Sequence, residues 1–380
     1  MTYRRSLYAA AVAATVLVAA ACVPIAPNPA PTATQVSPST GGGYITPEIS
    51  GDGSTVIYRR EADLNYPSTQ TPRDLIVTRL DTQATTVLPQ IRDVDALSAN
   101  GRYIVHGYAP TWRVDTVTGA QVQLRSGGPS QSLGEVAISA DGATVAWLET
   151  HYTAGNCPCE LRVHVWRNGS VIRNQMIDSG QLGSIFDQYR DQIDIDGAGA
   201  TVFLHKPLVR QIVKMSVATG AVTAVPLQFP VIDDFAPFAN LEQFLAWSEW
   251  LLWSSADGTK FLIESDGVNW LVSSGAPQLV SAMPHSYDRV SMSPNGRWLA
   301  QLLTTEVRPN VVHQKYTVTD LTNGVTRLVV ESDAGTPTGA EPVRTFTGDP
   351  SVSDDGEAVY GRWLAPLTGP WPTSVVYVDR

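Results

Sequence analysis

Apolar residues in this chain come in short alternating runs broken by turn-forming clusters, and no helical period is sustained for long. The segment GEVAISADGATVAWLE (134–149) shows the unit: an apolar run, the turn SADG, and a second apolar run. It recurs as ITPEISGDGSTVIYRR (45–60), DVDALSANGRYIVHGY (93–108), DQIDIDGAGATVFLHK (191–206), EWLLWSSADGTKFLIES (249–265), DRVSMSPNGRWLAQLL (288–303) and GDPSVSDDGEAVYGRW (348–363), seven copies in all. Gly53, Gly101, Gly142, Gly199, Gly258, Gly296 and Gly356 fill one slot. Asp or Asn precedes that glycine except at Ala198, and Ser stands three before it except at Asp196. A chain reversing in three or four residues uses a type I turn followed by a residue at positive φ, where glycine alone avoids a steric penalty. Asp, Asn and Ser at the neighbouring positions bond the local backbone. Each copy is therefore predicted to be a β-hairpin, and its Asp to be structural rather than catalytic.

A second pair of apolar runs follows each hairpin, as in TWRVDTVTGAQVQLRS (111–126) and QKYTVTDLTNGVTRLVV (314–330), giving four strands per unit. The units repeat about every 50 residues, a length suited to a four-stranded propeller blade. The expected fold is all-β: a seven-bladed β-propeller of four-stranded antiparallel blades over 45–380. The last unit stops at TSVVYVDR (373–380) and lacks its outer strand. TATQVSP (32–38) matches the other outer strands in alternation and is predicted to pair with 373–380, closing the ring.

The pattern SxDGxxVxx followed by a second hairpin resembles the TolB-like, WD-repeat-like propeller family over 45–380. The resemblance implies a rigid cell-envelope platform that docks a partner. TolB itself carries an α/β domain ahead of its propeller, where this chain has a tether. Related propellers also sit on prolyl-oligopeptidase-type hydrolases, but no G-x-S-x-G nucleophile elbow occurs here, so that activity is not implied.

Composition narrows the partners. Only 16% of residues are charged, while 30 Gly and 26 Pro serve an all-β chain with many turns. A net charge of −10, with no Lys/Arg run, argues against nucleic acid. Arg4 and Arg5, the apolar run 7–21 and AAAC (19–22) read as a bacterial export signal, residues 1–21. Cys22 then resembles the lipidated cysteine of bacterial lipoproteins, with Ala19 where Leu is usual; cleavage at Ala19–Ala21 to give a freely secreted protein is the alternative. Residues 22–44, rich in Pro, Thr, Ser and Gly, read as a lipid-anchored tether that includes the closure strand. The expected location is the cell membrane as a lipoprotein, or the periplasm or exterior.

The turns within hairpins are short, whereas long connections such as 61–72, 151–159, 178–191, 228–248 and 364–372 all belong to the opposite face. Insertions on a rigid scaffold gather where binding occurs. Tyr66, Asp233, Asp234, Phe235 and Trp371 are the binding-face candidates. Cys157 and Cys159 are a disulfide candidate in an oxidising compartment, with free thiols or a metal or redox role as alternatives. The preferred reading is a non-catalytic binding or scaffold protein for an envelope protein, peptide or glycan, touching the membrane only through its lipid. No cofactor, metal or catalytic residue is assigned. The alternative is a propeller-type glycosidase, lactonase or lyase at the channel mouth, drawing on Glu48, Asp95, Glu135, Asp194 and Asp288 of the first strands.

Overall fold

A computed structural model describes residues 33–38, 43–61, 73–91, 94–107, 110–126, 131–153, 157–179, 192–206, 211–226, 251–265, 268–273, 278–282, 289–308, 311–335, 346–364 and 373–380. Their strands, numbered in chain order from β1 (Thr34–Gln35) to β28 (Thr373–Asp379), form seven four-stranded antiparallel sheets. Six sheets run from inner to outer strand in chain order, and the seventh takes β1 as its outer strand. The inner strands are β2 (Gly43–Ile49), β6 (Val94–Leu97), β10 (Gln131–Ile138), β14 (Gln192–Ile195), β18 (Leu251–Ser254), β22 (Arg289–Met292) and β26 (Phe346–Val352). The protein is the seven-bladed β-propeller that its hairpin repeat predicts.

Packing between blades explains the apolar runs. Consecutive strand residues point to opposite faces. Val56, Ile57 and Tyr58 follow one another and are all buried, so both faces of the first blade are covered. Ile57 and Leu75 meet Ile104 and Val114 of the second blade, while Val56 and Tyr58 meet Val376 and Val378 of the seventh. Similar clusters join blades two to three, three to four, five to six and six to seven. Trp147 is buried in one of them, whereas Trp298 is half-buried and donates its indole N–H to the Asp354 carbonyl at 3.0 Å.

The repeated turn is a closed hydrogen-bond unit. All seven slot glycines have positive φ, between 65° and 85°. Ser50, fully buried, donates its hydroxyl to Asp52 at 2.6 Å and accepts from the Thr55 amide at 3.0 Å. Ser98, Ser139, Ser255 and Ser293 make the same pair of bonds with their own Asp or Asn and the following strand. In the fourth blade Asp196 accepts directly from the Ala200 amide, which is why that copy works without the Ser.

These turns also bond to one another around the axis. Asp52 N–H donates to Ala99 O, Asn100 to Ala140 O, Ala140 to Gly197 O, Gly197 to Ala256 O, Ala256 to Pro294 O, and Asp354 to Gly51 O. The step from the sixth blade to the seventh uses the Asn295 amide and side chain, which donate to Asp354 Oδ1 and O at 2.7 and 2.9 Å. The seven hairpins are thus linked into one ring. Outside it, Arg167, Lys260 and Arg327 each donate to the slot-glycine carbonyl of the next blade, at Gly199, Gly296 and Gly356.

Closure follows the expected pairing over a shorter ladder than 32–38. Thr34 pairs with Val378 and Gln35 with Tyr377. Val36 N–H then donates to Val376 O at 2.9 Å, and the buried Ser37 hydroxyl accepts from Val376 N–H at 2.9 Å. A chain beginning at residue 39 keeps all 27 other strands but loses this latch. It is expected to melt about 5 °C below a chain beginning at residue 32; equal melting temperatures in calorimetry would show that the latch does not hold the ring.

Candidate functional site

The inner strands enclose a cavity of about 510 Å³, within the size range of small-molecule sites. Its floor is the ring of turns. Gly51, Ala99, Ala140, Gly197, Ala256 and Pro294, each the residue after the turn's Ser or Asp, line it. They are small because space at the axis is short: a Cβ on Gly51 would lie 2.8 Å from Pro294 Cγ and 2.9 Å from the Ala99 Cβ. The walls rise along the inner strands toward the face that carries the long connections.

Five of the seven residues two before the turn's Ser or Asp reach the cavity: Glu48, Asp194, Trp253, Ser291 and Ser351. Ala96 and Ala137 hold the other two places and pack between blades. Asp95 and Asp349 add two further carboxylates to the wall. Both sit where the ladder slips, between Val94 and Ala96 and between Thr347 and Ser351, and Glu48 ends a slip that starts at Ile45. Bulges of this kind turn a side chain out of the regular alternation and gather beside sites.

Four carboxylates therefore share one cavity, and burial separates their behaviour. Desolvation pushes Glu48 up to about 7, helped by the negative charge of Asp349. Asp194 is pushed up to about 6, also by burial, although it accepts bonds from the Ser254 and Ile195 amides. Asp349, largely exposed, lies 3.5 Å from Arg289. Arg59 is the cation in the lining, and its Nε donates to the Thr46 hydroxyl at 2.7 Å. Thr46 has φ 48°, a left-handed conformation that a β-branched residue before proline adopts only under strain of about 1–3 kcal/mol. This strained residue stands on the cavity wall beside Glu48.

Of the first-strand carboxylates named from sequence, Glu48, Asp95 and Asp194 meet in the cavity. Glu135 lies on an inner strand but outside the lining and is exposed, and Asp288 falls outside the described residues. Sequence reasoning missed Asp349; the adjoining Pro350, which disrupts a strand, was the available signal. Tyr66, Asp233, Asp234, Phe235, Trp371 and Cys22 lie outside the described residues. The backbones of Cys157 and Cys159 belong to a strand, Cys157–Arg167, rather than to a loop. Among the described residues, no three His, Cys, Asp or Glu side chains come together around a point that could hold a metal ion.

No family model matches this chain, and no curated protein matches it either. Solved structures do. An oligogalacturonate lyase in complex with manganese is similar with a TM-score of 0.57 at 13% identity, covering 94% of this chain and 95% of that one. An oligogalacturonate lyase from Vibrio parahaemolyticus has a TM-score of 0.55 at 12% identity, covering 94% and 96%. The β-propeller domain of Cps50 (Swd1) from Myceliophteria thermophila has a TM-score of 0.50 at 10% identity, covering 92% and 99%. At these identities the likeness is one of fold, and it agrees with the seven-bladed propeller.

The raised Glu48 has a thermodynamic consequence. A carboxylate that holds its proton more tightly in the folded state stabilises the fold below its unfolded pKa, and that contribution is lost as pH rises through the folded value. Glu48→Gln is therefore expected to raise the melting temperature at pH 8, where the buried charge costs about 1–2 kcal/mol, and to change it little at pH 5. Calorimetry at both pH values checks this; an equal effect at both would mean that Glu48 is not desolvated in the folded protein.

Proposed function

We propose that this chain is a non-catalytic binding protein of the cell envelope: a rigid propeller that takes a small ligand, or a small group carried by a larger envelope partner, into its central cavity. The observation that carries the reading is the convergence of Glu48, Asp95, Asp194 and Asp349 on one cavity floored by bonded turns. A wall of carboxylates placed by bulged strands, with strain held at Thr46, is a pattern of binding sites rather than of packing. Export through residues 1–21, anchoring through Cys22 and the resemblance to TolB-like propellers supply the envelope setting. Tyr66, Asp233, Asp234, Phe235 and Trp371 remain the binding-face candidates that the sequence offers.

A second reading, a propeller lyase, is favoured by the fold likeness to oligogalacturonate lyases and by a proton-holding Glu48 beside Asp349, a pairing suited to acid–base chemistry. Charge weighs against the same substrate. An oligogalacturonate is a polyanion, and this cavity sets four carboxylates against Arg59.

Filling the cavity separates these readings from a bystander role. Ser291→Phe places an aromatic ring in the cavity from the wall. Native mass spectrometry of the chain after equilibration with envelope extract is expected to show an added mass on the wild type that is absent from this variant at unchanged melting temperature. The same adduct on both proteins would overturn a cavity site. Release of an unsaturated uronide from trigalacturonate by the pure protein would replace binding with the lyase reading.

A further inference from the structure

The cavity wall is selective in its chemistry, and resting on the binding reading above, we infer that the ligand group it receives is an organic ammonium cation. Four observations converge. The described charged groups facing the space are Glu48, Asp95, Asp194 and Asp349 against Arg59, with Arg289 drawn to the exposed side of Asp349 and Asp196 below Asp194. The cavity is therefore negative whenever its carboxylates are ionised, and it penalises anions.

The carboxylates come from the first, second, fourth and seventh blades. Three stand on the consecutive seventh, first and second blades and Asp194 stands apart on the fourth, and no three described acidic, His or Cys side chains come together to hold a metal ion. A small metal ion needs several oxygens at little more than 2 Å; an amine-bearing chain can meet separated carboxylates one at a time. Trp253 also lines the wall while packing against the apolar cluster between the fifth and sixth blades, and an aromatic residue beside a cavity suits an ammonium group. Finally, Ser291 lines the cavity, and its buried hydroxyl oxygen has no hydrogen-bond partner among the described residues. A buried hydroxyl without a partner is rare, and its lone pairs suit an incoming N–H donor.

Proton linkage fixes the direction of the pH dependence. Glu48 and Asp194 hold protons up to about 7 and about 6 because of burial. A bound cation favours their ionised forms, so binding expels protons and strengthens as pH rises across this window.

The test is calorimetric titration of the full mature chain with cadaverine, its neutral analogue 1,5-pentanediol, and calcium chloride, at pH 5 and pH 8. Cadaverine is expected to bind at pH 8 at least tenfold more tightly than the diol and than calcium, and at least tenfold more weakly at pH 5. The Glu48→Gln, Asp194→Asn double variant should lose at least tenfold in cadaverine affinity at pH 8 with a flattened pH response. Asp81→Asn, an exposed acid of a hairpin turn, should change nothing and so controls for general attraction to an acidic protein. Equal affinity for cadaverine and the diol, tighter binding of calcium, or indifference to the double variant would each overturn the cation. If cadaverine does not bind while the envelope adduct still disappears in Ser291→Phe, the ammonium inference falls and the cavity reading stands. If the adduct is also indifferent to Ser291→Phe, the cavity reading falls with it.

Discussion

Five of the seven blades end at the axis in a turn whose buried serine hydroxyl is both donor and acceptor, and this small unit governs the molecule. A buried hydroxyl left without partners costs about 1–3 kcal/mol. Here Ser50 and its counterparts have both sides occupied, by the Asp or Asn of the same turn and by the first amide of the next strand. That fixes the bend, and the bend presents its free amide and carbonyl sideways to the neighbouring blade. The ring of interblade bonds follows from turn chemistry repeated at a constant angle.

The cavity inherits its shape from the same constraint. Because the turn residues at the axis approach within van der Waals contact, five of the seven places hold Gly or Ala, Asp354 is tied to Asn295, and the carboxylates that line the cavity are carried on the strands. Placing several like charges there is unfavourable for the empty protein. Glu48 and Asp194 respond by keeping protons, as buried carboxylates do when no cation is fixed beside them. Two carboxylates of hairpin turns behave oppositely: Asp115 and Asp320, bonded to Arg102 and Arg297 and to turn amides, are held below the usual carboxylate range.

Much of this was legible in the sequence because it is local. Glycine at positive φ, the Ser and Asp of the turn, and two-residue alternation depend on near neighbours, so the seven hairpins could be read from Gly53 to Gly356, and so could the use of 32–38 as the missing strand. Glu48, Asp95 and Asp194 could be named as first-strand acids. Their convergence could not, nor could Asp349, because a bulge changes which face a residue takes, and the ring that buries Glu48 brings Asp349 to it from some 300 residues further along the chain. The Ser291 hydroxyl gave no signal at all, since its place in the cavity lining exists only in the assembled ring.

The latch between the chain ends gives the propeller a mechanical polarity. Thr34, Gln35, Val36 and Ser37 grip the final strand by a handful of bonds, and Val36 also accepts from the Tyr58 hydroxyl of the first blade. Tension drawn through the residues ahead of Thr34 would load these bonds. In the seventh blade the latch strand and the strand that carries Asp349 stand at opposite edges of one sheet, so the chain's two ends close the same blade that supplies a cavity acid.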